Sequence, residues 1–359
     1  MKIALVHDWL VSMSGAERVL IELYHLFPAA PIYTLFADKK FTDQHFPNAK
    51  IITSWIQDIP GHKRWHRKAL SPLMATAIES FDFSDFDVVI SSSPFFSKGV
   101  VTRPHTRHIC YCYSPTRQLW DRHADYENGG FMPALAKHVL RIWDRHAADR
   151  VDEFVAISDH VRQRIAKYYK RDARIIYPPV KQLLSNGKID FSEYYLIVSR
   201  LYPHKNIDIA IEAFNKLGYT LLIIGGGPER NKLERLANKN IHFLGELGDE
   251  EIAAYYKYAK AFIMPQEEDF GLTPLEAMSY GIPVLALRRG GALETITEGV
   301  DGEFFDDPIP EALADGIRQL RERGEYNSET IRTSAAKFSV QRFRDDITEL
   351  VNEITYRHN

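Results

Sequence analysis

The run Glu268-Asp269-Phe270-Gly271-Leu272-Thr273-Pro274-Leu275-Glu276 sets two carboxylates in a fixed local frame, with a glycine and a helix-start signal between them. Upstream, Ala261–Met264 reads as a short buried strand; downstream, Ala277-Met278-Ser279-Tyr280-Gly281 reads as a helix stopped by glycine. Glu268 then hangs on a loop at the carboxyl end of a strand, and Glu276 falls in the first turn of the next helix. In open α/β sheets that edge is where ligands bind. Free backbone N–H groups, a helix N-terminus and two carboxylates suit a molecule carrying both phosphates and sugar hydroxyls. The same residues also fit a structural reading. Thr273-Pro274-Leu275-Glu276 is a capping box, with Thr at N-cap, Pro at N1 and Glu at N3. Glu268 lies in the acidic cluster Glu267-Glu268-Asp269, which a solvated loop would equally show.

Three further loops follow apparent strands. Ser199-Arg200-Leu201-Tyr202-Pro203-His204-Lys205-Asn206 puts the cations Arg200 and Lys205 at a strand end, where they would offset a diphosphate and stabilise it as a leaving group. An ordinary charged βα loop has the same composition. Gly225-Gly226-Gly227-Pro228 is neither the dinucleotide fingerprint nor a P-loop, and a tight turn would look alike. Val11-Ser12-Met13-Ser14-Gly15-Ala16-Glu17 offers another capping box, Ser14 with Glu17, and Gly15 could bring a helix N-terminus to a phosphate. Arg289-Gly290-Gly291 is one more glycine-rich turn. No set of residues has metal-ligand spacing, and no Gly-x-Ser-x-Gly elbow occurs. The basic run Gly61–Lys68, with Trp65 inside it, reads as a solvated helix end or as a contact with an anionic membrane surface.

These loops need elements to hold them. Lys2–Val6, Ile51–Trp55, Asp87–Ser91, His108–Cys112, Phe154–Ile157 and Arg174–Tyr177 read as strands, with a helix from Gly15 to Leu26 after the first. After a polar stretch at 181–193 the rhythm restarts with Tyr194–Ser199, Thr220–Ile224, Ile241–Leu244, Ala261–Met264 and Pro283–Leu287. Short buried runs alternating with helices predict parallel sheets covered on both faces. Two series predict two Rossmann-like domains, 1–182 and 190–338, facing across a cleft that would be the natural site. The tail from Ser339 predicts a helix with Val340, Phe343, Ile347, Leu350 and Ile354 on one stripe.

Composition sets the outer bounds. At 359 residues, 45% hydrophobic and 26% charged, the chain has room for two ordinary soluble domains. A net charge of −3 does not suggest nucleic acid, although the first half is net basic and the second net acidic. Cys110 and Cys112, on one face of a strand, read as small core residues in a reducing compartment. No signal peptide is visible, and no apolar run reaches the ~20 residues that span a bilayer.

Together these residues resemble the retaining glycosyltransferases of family GT4, which have the GT-B fold. The family hallmark E-x-F-G-L-x-x-L-E-A-M-x-x-G-x-P-V matches Glu268–Val284 almost position for position. Ser199–Asn206, Gly225–Pro228, Gly290–Thr295, Asp8–Leu10 and Gly15–Glu17 match in order, over nearly the whole chain. The nearest subgroup resembles bacterial mannosyltransferases of O-antigen and exopolysaccharide assembly. The resemblance implies that Gly15, Arg200 and Lys205 hold the diphosphate. Glu276 would bind the ribose and Glu268 the donor sugar. The backbone of Phe270, Gly271, Leu272 and Thr273 would line phosphate and sugar, and Leu247 would pack on the base. It also implies that the helix 339–359 packs back on the first domain. In one respect the chain departs from its subgroup, which has a histidine facing the reacting sugar where this chain has Tyr113. A phenol donates a hydrogen bond but is no imidazolium near neutral pH.

The expected protein is a metal-independent, retaining hexosyltransferase with no cofactor, using a nucleotide diphosphate sugar, GDP-mannose first, on a lipid-linked bacterial glycan. It would be cytoplasmic or peripheral on the inner face of the plasma membrane, touching it through 61–70. The alternatives are a UDP-sugar-dependent GT4 enzyme (glucosyl, galactosyl or GlcNAc), an epimerase on a similar fold, and a non-catalytic GT-B partner subunit. A nicotinamide dehydrogenase ranks below these, for want of the dinucleotide fingerprint.

Overall fold

The structure, a computed structural model, describes residues 1–61, 72–121, 131–182, 187 and 189–356. The chain divides into two compact units, Met1–Pro179 with Gln341–Asn359, and Val180–Val340.

The first unit is built on a seven-stranded parallel sheet. In chain order its strands are β1 (Ile3–Leu10), β2 (Ile32–Ala37), β3 (Ile51–Thr53), β4 (Val88–Ser93), β5 (Arg107–Cys112), β6 (Glu153–Ala156) and β7 (Arg174–Ile175). They lie side by side as β3-β2-β1-β4-β5-β6-β7. The register pairs Leu5 with Ile32 on one side of β1 and Ile3 with Val88 on the other. Helices on the faces bury successive side chains of β1 and β4 alike, so burial along these strands is continuous and does not alternate, polar residues at their carboxyl ends included. Two features differ from the sequence expectation. β1 runs on to Leu10, so His7 and Asp8 belong to the strand and are buried. β2 was not expected; Ile32, Leu35 and Phe36 are wholly buried beside β1, and Asp38 caps the next helix by accepting from Phe41 N–H.

The second unit carries six parallel strands: β8 (Tyr194–Val198), β9 (Thr220–Ile224), β10 (Ile241–Gly245), β11 (Ala261–Met264), β12 (Val284–Leu287) and β13 (Gly302–Phe305). Their order is β10-β9-β8-β11-β12-β13. β13 was also unexpected. It holds a glycine and a glutamate, and Glu303 is buried against Arg323 (2.6 Å) and Tyr326 Oη (2.6 Å). One face of the sheet packs Ile197, Leu221, Ile223, Ile263 and Leu285 against Ile211 and Phe214 of the helix Ile207–Leu217 and Ile317 of the helix Pro310–Arg323. In both sheets the order reverses beside the first strand, between β1 and β4 and between β8 and β11. The loops at those two reversals separate to opposite sides and leave a crevice at the carboxyl edge.

The last helix, Val340–Tyr356, returns to the first unit. Phe343 meets the Tyr111 ring edge-on at 5.8 Å and 84°, with Ile347, Leu350 and Val351 buried along the same stripe. Arg344 pairs with Glu22 (2.5 Å) and Arg174 with Glu353 (2.6 Å). Phe343→Ala is expected to cost the first unit about 3–5 kcal/mol, as for other buried phenylalanines. Urea unfolding followed by probes in each unit should show the first transition shifted to lower denaturant and the second unmoved.

Candidate functional site

In the second unit the loops after β8 and β11 close on each other across the strand-order reversal. After β8 the chain makes one short turn, Pro203–Lys205, and passes through Asn206 at φ 52° into the helix Ile207–Leu217. Lys205 Nζ pairs with Glu268 Oε1, and Gln266 Nε2 donates to the same oxygen at 2.9 Å. Asn206 Nδ2 donates to Pro265 O at 3.2 Å, a second tie between the two loops. The side chains of Lys205 and Glu268 are only 12% and 26% exposed. Glu268 is therefore a paired, part-buried carboxylate, and the solvated acidic loop is not what forms.

A third loop braces Glu268 from behind. Gly291 N–H donates to Glu268 O at 2.9 Å. Gly290 has φ 62°, and a Cβ there would stand 2.3 Å from Glu268 O. Only glycine accepts both the dihedral and the approach. Phe270 is buried with its ring edge-on to Phe338 at 5.5 Å.

The capping-box reading of Thr273 and Glu276 is corrected. The helix is Leu272–Ser279 with Gly271 at the N-cap, and no side chain caps it. Thr273 and Pro274 lie inside the first turn. Glu276 lies two residues beyond the N3 position from which a side chain reaches back to the N-cap N–H, and its Oε2 accepts from Tyr256 Oη at 2.9 Å. Tyr256, on the helix Asp249–Tyr258, is in turn stacked on Tyr280 at 5.8 Å. Glu276 is thus a half-buried carboxylate aimed by a phenol.

The Gly225–Gly227 turn packs backbone against backbone. Leu201 N–H donates to Gly226 O at 2.8 Å, and added Cβ atoms at Gly225 and Gly227 would meet Ser199 O and Leu201 O at 2.0 and 2.3 Å. These glycines hold the Arg200 loop in place. Arg200 is exposed with its guanidinium over the Tyr202 ring at 5.5 Å, and Leu247 lies half-buried beyond β10. The fold therefore places Arg200, Lys205, Leu247, Glu268, Phe270, Gly271, Leu272, Thr273 and Glu276 on loops or helix starts at one sheet edge, with direct contact between Lys205 and Glu268. Gly15 and Tyr113 belong to the first unit.

At the reversal in the first unit lies a buried polar cluster, of which the sequence marked Ser14, Glu17 and Asp8 in motifs but neither the neighbouring His7, Ser92 and Lys98 nor the burial of Asp8 and Glu17. Asp8, from β1, accepts backbone N–H bonds from Phe95 (2.6 Å), Phe96 (2.8 Å) and Ser97 (2.6 Å) in the loop after β4. Burial raises its carboxyl above the usual range, while His7, Lys98 and the Ser97 and Phe96 N–H groups pull it back. His7 Nε2 faces Glu17 Oε1 at 3.3 Å. Burial opposes a charge on the imidazole, but the Glu17 hydrogen bond and charge outweigh it and raise the pKa. Glu17 is lowered: burial is opposed by His7 and then Ser14. The expected Ser14–Glu17 capping box is absent, because the Ser14 hydroxyl goes to the Glu17 carboxylate and makes no cap bond. Deeper in, Lys98 pairs with Asp144 at 2.6 Å, and Thr116, Trp120 and Tyr169 also donate to Asp144. Cys110 and Cys112 are buried free thiols. The signal for His7 and Asp8 was their place at the end of a strand beside the reversal, once that strand is extended by four residues.

Among the described residues no group of three or more His, Cys, Asp or Glu could hold a metal ion, and no helix is long and apolar enough to cross a membrane. The basic segment 61–70, apart from Gly61, lies outside the described residues.

Residues 13–181 match the family described as Glycosyltransferase Family 4, and residues 184–337 match Glycosyl transferases group 1. The alpha-1,3/1,6-mannosyltransferase ALG2 of Kluyveromyces lactis is 25% identical over 83% of this chain and 71% of its own. A GDP-mannose-dependent alpha-(1-6)-phosphatidylinositol monomannoside mannosyltransferase of Mycobacterium tuberculosis is 27% identical over 54% of this chain and 58% of its own. The chain thus spans little more than half the length of that relative, and 52% of an uncharacterized glycosyltransferase, MJ1178, of Methanocaldococcus jannaschii. Among solved structures, Anabaena HepE in complex with UDP and glucose superposes with a TM-score of 0.74 at 18% identity, over 98% of this chain and all of its own.

Two substitutions check the local assignments. Thr273→Ala should leave stability within about 0.5 kcal/mol, as for a residue that caps nothing; a thermal melt showing a loss of ~1 kcal/mol or more would restore the N-cap. Gly290→Ala should cost about 1–3 kcal/mol of the second unit's stability through its left-handed dihedral alone, and more through the clash with Glu268 O.

Proposed function

We propose that this chain, which belongs to the family 4 glycosyltransferases and has their GT-B fold of two parallel-sheet α/β units, transfers a hexose with retention from a nucleotide diphosphate sugar, mannose from GDP-mannose, to a lipid-linked glycan. The observation that carries this reading is the Lys205–Glu268 pair at the β8/β11 reversal, with Arg200 and Glu276 on the same edge. A cation and a carboxylate held together at that crevice suit a donor whose phosphates and sugar hydroxyls are neighbours. The mannosyl donor is supported by the similarity to ALG2 and to the mycobacterial enzyme, both mannosyltransferases.

In this reading Glu276, aimed by Tyr256, takes the ribose hydroxyls, and Leu247 packs on the base. Glu268 takes hydroxyls of the donor sugar while its other partner, Lys205, turns to the phosphates. Backbone N–H groups of Phe270, Gly271, Leu272 and Thr273 border the phosphates at a helix N-terminus, and Gly15 is assigned to the diphosphate on the family resemblance alone. The bond from the anomeric carbon to the diphosphate oxygen breaks, and the acceptor oxygen bonds to that carbon on the same face. The acceptor proton passes to the departing phosphate, whose charge Arg200 and Lys205 carry without a metal ion. The reaction runs in the cytoplasm or at the inner membrane face, where a lipid-linked acceptor is reached.

Calorimetry with GDP-mannose, GDP, UDP-glucose, UDP-GlcNAc, UDP-galactose and NAD, with and without EDTA, tests the donor. Tight, EDTA-insensitive binding of GDP-mannose and GDP alone is expected. Preference for a UDP sugar overturns the donor and keeps the transferase; binding of none moves the chain to a non-catalytic partner subunit. Lys205→Ala should lower turnover by roughly 10²-fold or more. Unchanged turnover in that variant would remove Lys205 from the leaving-group role.

A further inference from the structure

We infer that Tyr113 is a positioning residue: together with Ser92, His7 and Glu17 it forms one directed chain of hydrogen bonds that fixes the start of the helix Gly15–Leu26 from the inside. The direction of each bond follows from groups that can only accept. Tyr113 Oη lies 3.0 Å from Ala16 O, and a carbonyl has no proton, so the phenol donates there. The phenol has one proton to give. Ser92 Oγ, 2.9 Å away on the other side, must therefore donate to Tyr113. Ser92 Oγ then has only lone pairs for His7 Nδ1 at 3.1 Å, and Ser92 O, 3.0 Å from the same nitrogen, is an acceptor too. Nδ1 hence carries a proton. Glu17 Oε1, 3.3 Å from Nε2, belongs to a carboxylate that can only accept, so Nε2 carries a proton too and His7 is an imidazolium; Glu17 Oε2 accepts from Ser14 Oγ.

Both ends of this chain land on one helical turn, at the Ala16 carbonyl and the Glu17 side chain. Its middle members come from three neighbouring strands or strand ends: His7 from β1, Ser92 from β4 and Tyr113 just past β5. The turn has need of such support. Its N-cap residue Ser14 makes no cap bond, because its hydroxyl is committed to Glu17. Tyr113 is itself held by the Tyr111 ring, edge-on at 5.4 Å. Burial raises the phenol's pKa well above its ordinary value, so it is a fixed donor and gives up no proton. The phenol performs both halves of the link through one oxygen, accepting from Ser92 and donating to Ala16.

The consequence for turnover rests on the reading that Gly15 meets the donor diphosphate. The test separates the two. In Tyr113→Phe, amide hydrogen exchange at Gly15–Arg18 should quicken roughly tenfold, the size expected for one lost hydrogen bond that leaves a buried partner unsatisfied. The donor KM should rise by more than kcat falls. His7→Gln should quicken the same amides, and the double variant should fall short of the product of the two effects, because both cut one chain. Should His7→Gln not fold, Tyr113→Phe with exchange and kinetics decides alone. Unchanged exchange at Gly15–Arg18, or a fall in kcat with the donor KM unmoved, would place Tyr113 on the reacting sugar and overturn the inference. Quickened exchange in a chain that turns over no sugar nucleotide even unsubstituted would uphold the chain of hydrogen bonds and sink the transferase reading.

Discussion

Lys205 and Glu268 attract each other across the one place in the second sheet where neighbouring loops are driven apart. The strand order reverses between β8 and β11, so the chain leaves β8 toward one face and β11 toward the other. The ion pair, with Gln266 and Asn206 beside it, draws the two loops back together at their roots. A part-buried pair of this kind adds modest stability, because desolvation cancels much of the attraction. Its value is geometric: it holds a cation and a carboxylate at fixed positions over a crevice. A ligand that brings its own anion and its own hydroxyls can take over both partners without leaving either charge stranded.

Everything else on that edge serves the same geometry through backbone contacts. The Gly225–Gly227 turn is pressed on Ser199–Leu201 so closely that side chains are excluded at its first and last glycines. Gly290 and Gly291 do the same to Glu268–Phe270. The loops are therefore stacked one on the next across the sheet edge, from β9 to β8 and from β12 to β11. Side chains with chemistry ride on a frame whose rigidity comes from peptide groups.

The first unit solves a related problem differently. Its reversal carries Asp8 and His7 fully inside the protein, where a lone charge would be untenable. Asp8 is met by three backbone N–H groups and His7 by Glu17 and Ser92. The Lys98–Asp144 pair beneath them is likewise saturated by Thr116, Trp120 and Tyr169. Each of these buried groups is matched by donors or acceptors from neighbouring loops, helices or strands, so the polar cluster ties those elements to the end of β1 and to one another.

Sequence by itself determined the class of fold and the stretch that carries the chemistry. Short apolar runs such as Thr220–Ile224 and Ala261–Met264, bounded by turn residues, read as strands buried on both faces, and the stripe through Phe343, Ile347 and Leu350 reads as one side of a helix. The spacing of Glu268 and Glu276 around Gly271 was visible for the same local reason. β2 and β13 were missed because one begins behind a proline and the other contains Gly302 and Glu303, so neither stands out without its neighbour. Tertiary structure alone decided what each polar side chain meets. Thr273 and Glu276 have the letters of a capping box, yet Gly271 takes the cap and Tyr256 takes the carboxylate. His7, Glu17, Ser92 and Tyr113 are far apart in the chain and carry no shared pattern. A hydrogen bond needs its two atoms within about 3 Å, and for residues on different strands only the order and register of the sheet bring them there.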